Sequence, residues 1–312
     1  MLATIFSKTK PINYIILTLL VVTSYVLYLT IDQLDIVWNE YEFVKRGVLL
    51  ILLLLMMVFS QFIVTKNRLV KDNAYVPLFF VSFLLLFPSV LVHSKVIISN
   101  YFIMLALRRL FSLHSLKQSK EKLFDASLWI LVASLFHFWS ILFLILLFVA
   151  IIFFASKDYR NWIIPLLALL CVTIFLSFYL LINDISYVDW LTSKLKVSFN
   201  FMYFDNVYQN IALAVFASIS VLFFVAELSA ISNKAYNMQS TYKKMILAFL
   251  IGVAIYIVSD DKNNGVLLFS FFPLSVLGAN YVESVKSNWQ KEIVVYSIVF
   301  ISLFFYVMQL IL

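Results

Sequence analysis

The sequence predicts an all-α, polytopic transmembrane bundle of ten or eleven spans with a cytoplasmic N-terminus, and three observations carry that prediction. Of the 312 residues, 64% are hydrophobic and 12% charged, whereas soluble domains carry about 45–50% apolar and about 25% charged residues. Apolar runs approaching the roughly 20 residues of a bilayer crossing recur along the whole chain. The basic residues fall between those runs with a strong bias to alternate loops, as the positive-inside rule requires. The chain reads as one membrane domain over residues 1–312.

The runs occupy 13–31, 47–65, 74–92, 96–107, 126–137, 139–155, 161–182, 208–231, 245–258, 266–282 and 294–312. The first, Asn13 to Ile31, is about a full span long and has no small-residue cleavage site, so it reads as a retained helix rather than a signal peptide. The segment 123–155 is almost continuously apolar. It is either one long tilted helix or a hairpin turning near His137-Phe138-Trp139-Ser140. Charge parity favours the hairpin. With it, 17 of the 23 basic residues lie inside, and only Lys45, Arg46, Lys95, Lys194, Lys196 and Lys262 lie outside. With one long helix the split falls to 13 and 10. The hairpin gives eleven spans, the long helix ten.

Between spans, Asp32, Asp35, Glu40, Glu42, Asp184, Asp189, Asp205, Asp260 and Asp261 fall outside. The longest external loop, 183–207, holds Trp190, Phe199, Phe201 and Tyr203 and is expected on the membrane surface. The formal charge of +7 is divided among loops rather than gathered in one patch, which excludes nucleic acid as a partner. A single cysteine, Cys171, excludes a disulfide or zinc framework. Four glycines leave no Gly-rich phosphate loop, and no nucleophilic triad, Walker loop or HExxH is present.

The candidate chemistry lies in the polar residues that a membrane tolerates least. Arg108, Arg109, Lys117, Lys120 and Lys122 form the densest basic segment. They suit an anionic lipid headgroup or a pyrophosphate, although a loop that only sets topology has the same composition. His137 is the one histidine deep in an apolar stretch, and Ser127, Ser134 and His137 share a helical face at i, i+7 and i+10. Such a histidine is a candidate general base or proton relay, or a buried hydrogen-bonded residue. Glu227, in VAELSAIS, is the other intramembrane ionisable candidate, with pairing near the cytoplasmic end as its simpler role. Asn280 and Glu283 are neighbours at i, i+3 beside Gly278 and suit helix packing. Asp260 and Asp261 with Asn263 and Asn264 carry oxygen ligands, but Lys262 sits between them and a solvated turn is the simpler reading. No metal site or cofactor is expected. A multi-histidine iron site is excluded because the topology puts His93 and His114 on opposite faces.

Four stretches carry a resemblance: FSKTKPIN (Phe6 to Asn13), LRRLFSLHS (Leu107 to Ser115), LFDASLWILVASLFHFWS (Leu123 to Ser140) and FFPLSVLGANYVE (Phe271 to Glu283). They resemble an uncharacterised integral-membrane family of Bacteroidetes, over nearly the whole chain, and that resemblance implies no activity. ASLFHFWSILFL (Ala133 to Leu144) is similar, more distantly, to a helix of capsule and O-antigen polysaccharide polymerases. The external arginines those enzymes use are reduced here to Arg46. The expectation is therefore a multi-pass protein of the cell inner membrane, in cell-envelope assembly or maintenance, with membrane lipids and membrane proteins as partners. A lipid-linked glycan polymerase and a secondary transporter using Glu227, Asn280 and Glu283 are the alternatives.

Overall fold

The computed structural model describes residues 2–31, 39–115, 117–156, 158–199, 207–260 and 262–311. Asp32, Asp35, Lys157, Phe201, Tyr203, Asp205 and Asp261, which entered the charge and loop expectations above, lie outside the described residues. Thirteen α-helices make up the fold among those described: α1 (Leu2–Phe6), α2 (Pro11–Ile31), α3 (Glu40–Asn67), α4 (Tyr75–Leu86), α5 (Ser94–Phe111), α6 (Ser119–Phe136), α7 (Phe143–Phe154), α8 (Arg160–Ile182), α9 (Tyr187–Lys194), α10 (Val207–Ala230), α11 (Tyr236–Val258), α12 (Leu268–Ser284) and α13 (Asn288–Ile311). Eight are long and apolar enough to cross a membrane. The protein is a multi-pass membrane protein.

Each apolar run falls on a helix, with two instructive differences. The run 74–92 is not one helix. It stops at Leu86 and continues as a 3₁₀ turn over Pro88–Val92, because the residue before a proline is pushed out of the helical region. The helix on 126–137 starts earlier, at Ser119. Its extra turns carry Lys122 and Asp125, whose polarity hides them from a hydropathy count.

The hairpin at 123–155 is present. His137 adopts an extended backbone (φ −131°, ψ 104°), which ends α6, and a 3₁₀ turn over Phe138–Leu142 leads into α7. The return is fixed at the far end, where Lys120 Nζ lies 3.1 Å from Asp158 Oδ2. That end of the bundle also holds α1, whose Phe6 carbonyl accepts from Ala74 N–H and whose Ala3 carbonyl accepts from the Tyr75 hydroxyl. It is called the N-terminal end below. The turn after α6 lies at the opposite end.

α4 and α12 form the centre. Every residue of α4 is buried, as is α12 from Leu268 to Asn280. Phe83 of α4, Phe87 just beyond its end, Phe216 of α10 and Phe271 of α12 make a ring cluster with centroids 5.4–6.0 Å apart, within the range of favourable ring contacts. α11 lies close on α12 because Gly252 permits it. A Cβ there would come within 2.9 Å of the Phe269 and Ser270 backbone. α2, α8, α10 and α13 stand at the periphery, each with a third or less of its span buried, as suits helices whose outer solvent is lipid.

Candidate functional site

The five residues of the basic segment are largely engaged within the protein. Arg108 lies over the rings of Phe59 and Phe62, 5.9 and 5.0 Å from their centroids. Arg109 Nη2 pairs with Asp125 Oδ2 at 2.6 Å. Lys122 Nζ donates to the Ser112 carbonyl and to Ser115 Oγ, each at 2.8 Å. Lys120 holds Asp158, and Lys117 is exposed. These contacts tie α5 to α6 and close the hairpin. Asp158 also accepts from Arg160 N–H at 3.0 Å. That bond, with Lys120 beside it, holds the Asp158 carboxyl below the usual aspartate value.

His137 is at the other end. The structure does not bring it to the basic segment. Ser127 and Ser134 do not line its cavity; their hydroxyls donate to the Leu123 and Leu131 carbonyls of their own helix. Instead His137 lines a cavity of about 480 Å³ with His93, Lys95, Lys194, Lys196 and Asp260. Its Nε2 is buried and without a hydrogen-bond partner, and its ring lies 5.4 Å from that of Phe269.

Four segments distant in sequence build this cavity, one of them the stretch after α11 that carries Asp260. The 3₁₀ turn after α4 supplies His93, and the start of α5 supplies Lys95. The α6 C-terminus supplies His137. The strap that follows α9 supplies Lys196, just beyond Lys194 at the end of that helix. The strap is held in two places: Trp139 Nε1 donates to the Lys196 carbonyl at 3.2 Å, and Val197 forms an isolated antiparallel bridge with Ser259. His93 is positioned by Asn263, whose Nδ2 meets the His93 Nε2. Asn263 Oδ1 accepts from Gly265 N–H at 2.9 Å. Gly265 leaves room for that imidazole, since a Cβ there would come within 2.9 Å of His93 Cδ2. Asn263 is thus committed to a turn. Lys262 donates to the Tyr256 and Ile257 carbonyls at the end of α11. Burial pushes its ammonium below the ordinary lysine value, and Asp260 draws it part of the way back. Among the described residues no cluster of three or more His, Cys, Asp or Glu side chains is placed to hold a metal. His114 lies at the N-terminal end, beyond α5, away from His93 and His137.

Glu227 lies at the N-terminal end in a separate, smaller cavity of about 240 Å³ between α10 and α12, together with Asn233, Lys234, Asn280, Tyr281 and Ser284. Lys234 Nζ is 3.8 Å from Glu227 Oε1 and sits 4.2 Å from the centroid of the Tyr242 ring. Glu283 is adjacent but directed elsewhere. Its Oε1 accepts from Lys71 N–H at 2.8 Å and from Asn73 Nδ2. The polar candidates therefore form two groups at opposite ends of the bundle. The chain belongs to a family of unknown function, DUF6427. The match spans residues 1–312. No curated protein and no solved structure matches it.

The lysines of the larger cavity escaped the sequence reading, although a signal was there. The charge parity had already isolated Lys95, Lys194 and Lys196 as three of only six external basic residues. Lys244 also escaped it. This side chain of α11 is fully buried, donates to the Leu110 carbonyl at 2.7 Å and lies over the rings of Phe111 and Phe154.

Proposed function

We propose that this chain is a multi-pass protein of the cell inner membrane, with its N-terminus in the cytoplasm, and that it serves cell-envelope assembly by holding an anionic headgroup in the His137 cavity. One observation carries the proposal. Lys95, Lys194 and Lys196, half of the basic residues assigned outside by charge parity, line a single cavity with His93 and His137. External lysines run against the positive-inside bias, and their convergence needs a reason other than topology. A phosphate or pyrophosphate on an envelope lipid supplies one. It would sit where three ammonium groups offset the carboxylate of Asp260, the one carboxylate among the described lining residues, and the unpartnered Nε2 of His137 would complete its hydrogen bonds. The role is binding and presentation, with membrane lipids as ligands and other membrane proteins as the natural recipients.

The test compares a polyprenyl pyrophosphate with the uncharged polyprenol for binding to purified protein in nanodiscs. The pyrophosphate should bind and the alcohol should not. Each basic residue near a membrane surface contributes about 1 kcal/mol, so each Lys→Ala change should weaken binding about fivefold. Equal affinity for both probes would sink the proposal.

A second reading keeps the same cavity and adds chemistry: His137 takes the proton of an acceptor sugar hydroxyl as its oxygen attacks the anomeric carbon of a lipid-linked donor, and the bond from that carbon to the lipid pyrophosphate breaks, the pyrophosphate leaving on the lysines. It is favoured by the imidazole and the lysines sharing one cavity. Deletion of the gene should then leave lipid-linked oligosaccharide unpolymerised, and an unchanged glycan ladder would remove this reading while leaving the first.

A further inference from the structure

The small cavity at the N-terminal end has chemistry of its own. Its floor is made by Glu227 and Asn280, respectively 3% and 4% exposed. Both present a polar atom without a hydrogen-bond partner. Glu227 Oε1 accepts no hydrogen bond. Asn280 approaches the same carboxylate from α12, yet its Nδ2 makes no hydrogen bond of normal geometry. Buried polar atoms without partners are rare, and each costs about 1–3 kcal/mol. Lys234 stands above the floor, too far from Glu227 for a hydrogen bond at 3.8 Å, and the Tyr242 ring lies beneath its ammonium. The mouth is formed by the exposed Asn233 and Ser284, so the floor opens toward the surface of the bundle. Ala226 and Ala230 leave the α10 wall without bulk.

We propose that this cavity binds a small zwitterion of the α-amino-acid kind, with its ammonium on Glu227 and its carboxylate on Lys234 and Asn280 Nδ2. The charges exclude the simpler classes. A lone cation would meet Lys234, and a lone anion would meet Glu227. A neutral polyol could insert only by separating the Glu227–Lys234 pair without supplying a counter-charge to either, which is costly at the buried Glu227. A zwitterion satisfies all three groups at once and inserts between two side chains held just beyond contact. Glu283 does not compete for the ligand, because Lys71 N–H and Asn73 already bond to it. The volume of about 240 Å³ is far more than one water needs and suits a molecule the size of an amino acid.

The test uses the full-length protein in nanodiscs, with free amino acids of differing side chains as probes. Each is compared with the amine lacking its carboxylate and the acid lacking its amine. At least one amino acid should raise the melting temperature and bind by calorimetry at concentrations below about 10 mM, and its two truncated analogues should bind at least about tenfold more weakly. Glu227→Gln should abolish that binding. Lys234→Met, at the half-buried mouth and outside the packed floor, should weaken it by at least about tenfold, and Lys234→Arg, which keeps the cation, should weaken it less. No binding by any amino acid would overturn the proposal. So would an amine that binds as well as its parent amino acid, or binding that survives Lys234→Met undiminished. The pyrophosphate probe reads the opposite end of the bundle, so either proposal can fail alone.

Discussion

Lys120 at the start of α6 and Asp158 beyond the end of α7 form an ion pair of 3.1 Å. Two residues on either side of a long, almost unbroken apolar stretch thus stand at one end of the bundle. The chain between them goes out and comes back, and this sets the side on which every later loop lies.

Reporter fusions test that geometry directly. Fusions after Ser156 and at position 237 should report the same side as a fusion at Lys8. Fusions at Lys95 and at Asp260 should report the other. Agreement between Ser156 and Lys95 would mean that 123–155 crosses once.

The same ion pair should leave a mark in acid. Asp158 is held below its ordinary value by the Arg160 N–H and by Lys120, so its contribution to stability is fully present above the unfolded carboxylate pKa of about 4 and is lost as the pH falls through the lower folded value. The stability difference between the parent protein and Asp158→Asn should therefore be steady near neutral pH and shrink below about pH 4. A difference that grows in acid would contradict the pairing.

Lys244 should behave as a filler of space with a polar tip. Lys244→Ala leaves the Leu110 carbonyl without its donor and opens a void between Phe111 and Phe154, at a cost of about 2–5 kcal/mol. Lys244→Met keeps the volume and removes a buried charge, so it should lie within about 1.5 kcal/mol of the parent. Denaturant titration in detergent separates the two. Equal losses would point to a role for the ammonium itself.

Gly252→Ala should destabilise by about 1–3 kcal/mol through overpacking, because the obstructing atoms belong to the α12 backbone and cannot rotate away. Gly47→Ala is the matched control, with nothing within 4 Å of the added methyl. Its melting temperature should hold or rise.

What was legible in the sequence follows from what hydropathy measures. Transfer free energy located a helix for every apolar run, and counting lysines and arginines chose the hairpin before any contact was visible. Neither quantity reports which loops meet. Lys95 and Lys196 are a hundred residues apart, and only the strap between Trp139 and Ser259 brings them to one cavity. The strain of an X-Pro step at Phe87-Pro88 was readable and is what divides the run 74–92. The commitments of Arg108, Arg109, Lys120 and Lys122 to internal partners were not, since a basic segment looks the same whether it faces lipid headgroups or its own neighbours. The meeting of Glu227 and Asn280 in one cavity needed α10 and α12 to be side by side, which no local pattern encodes.

The complete enclosure of α4 bears on how this protein is made. The residues that cover its inner side, on α12, are synthesised only after most of the chain has entered the membrane. Until then α4 is an orphan, too short at 12 residues to reach across the bilayer comfortably. Insertion is therefore expected to remain incomplete until late in translation. A ribosome halted before Leu268 would leave a chain with a missing centre, more exposed to quality-control proteases than one that had lost an outer helix.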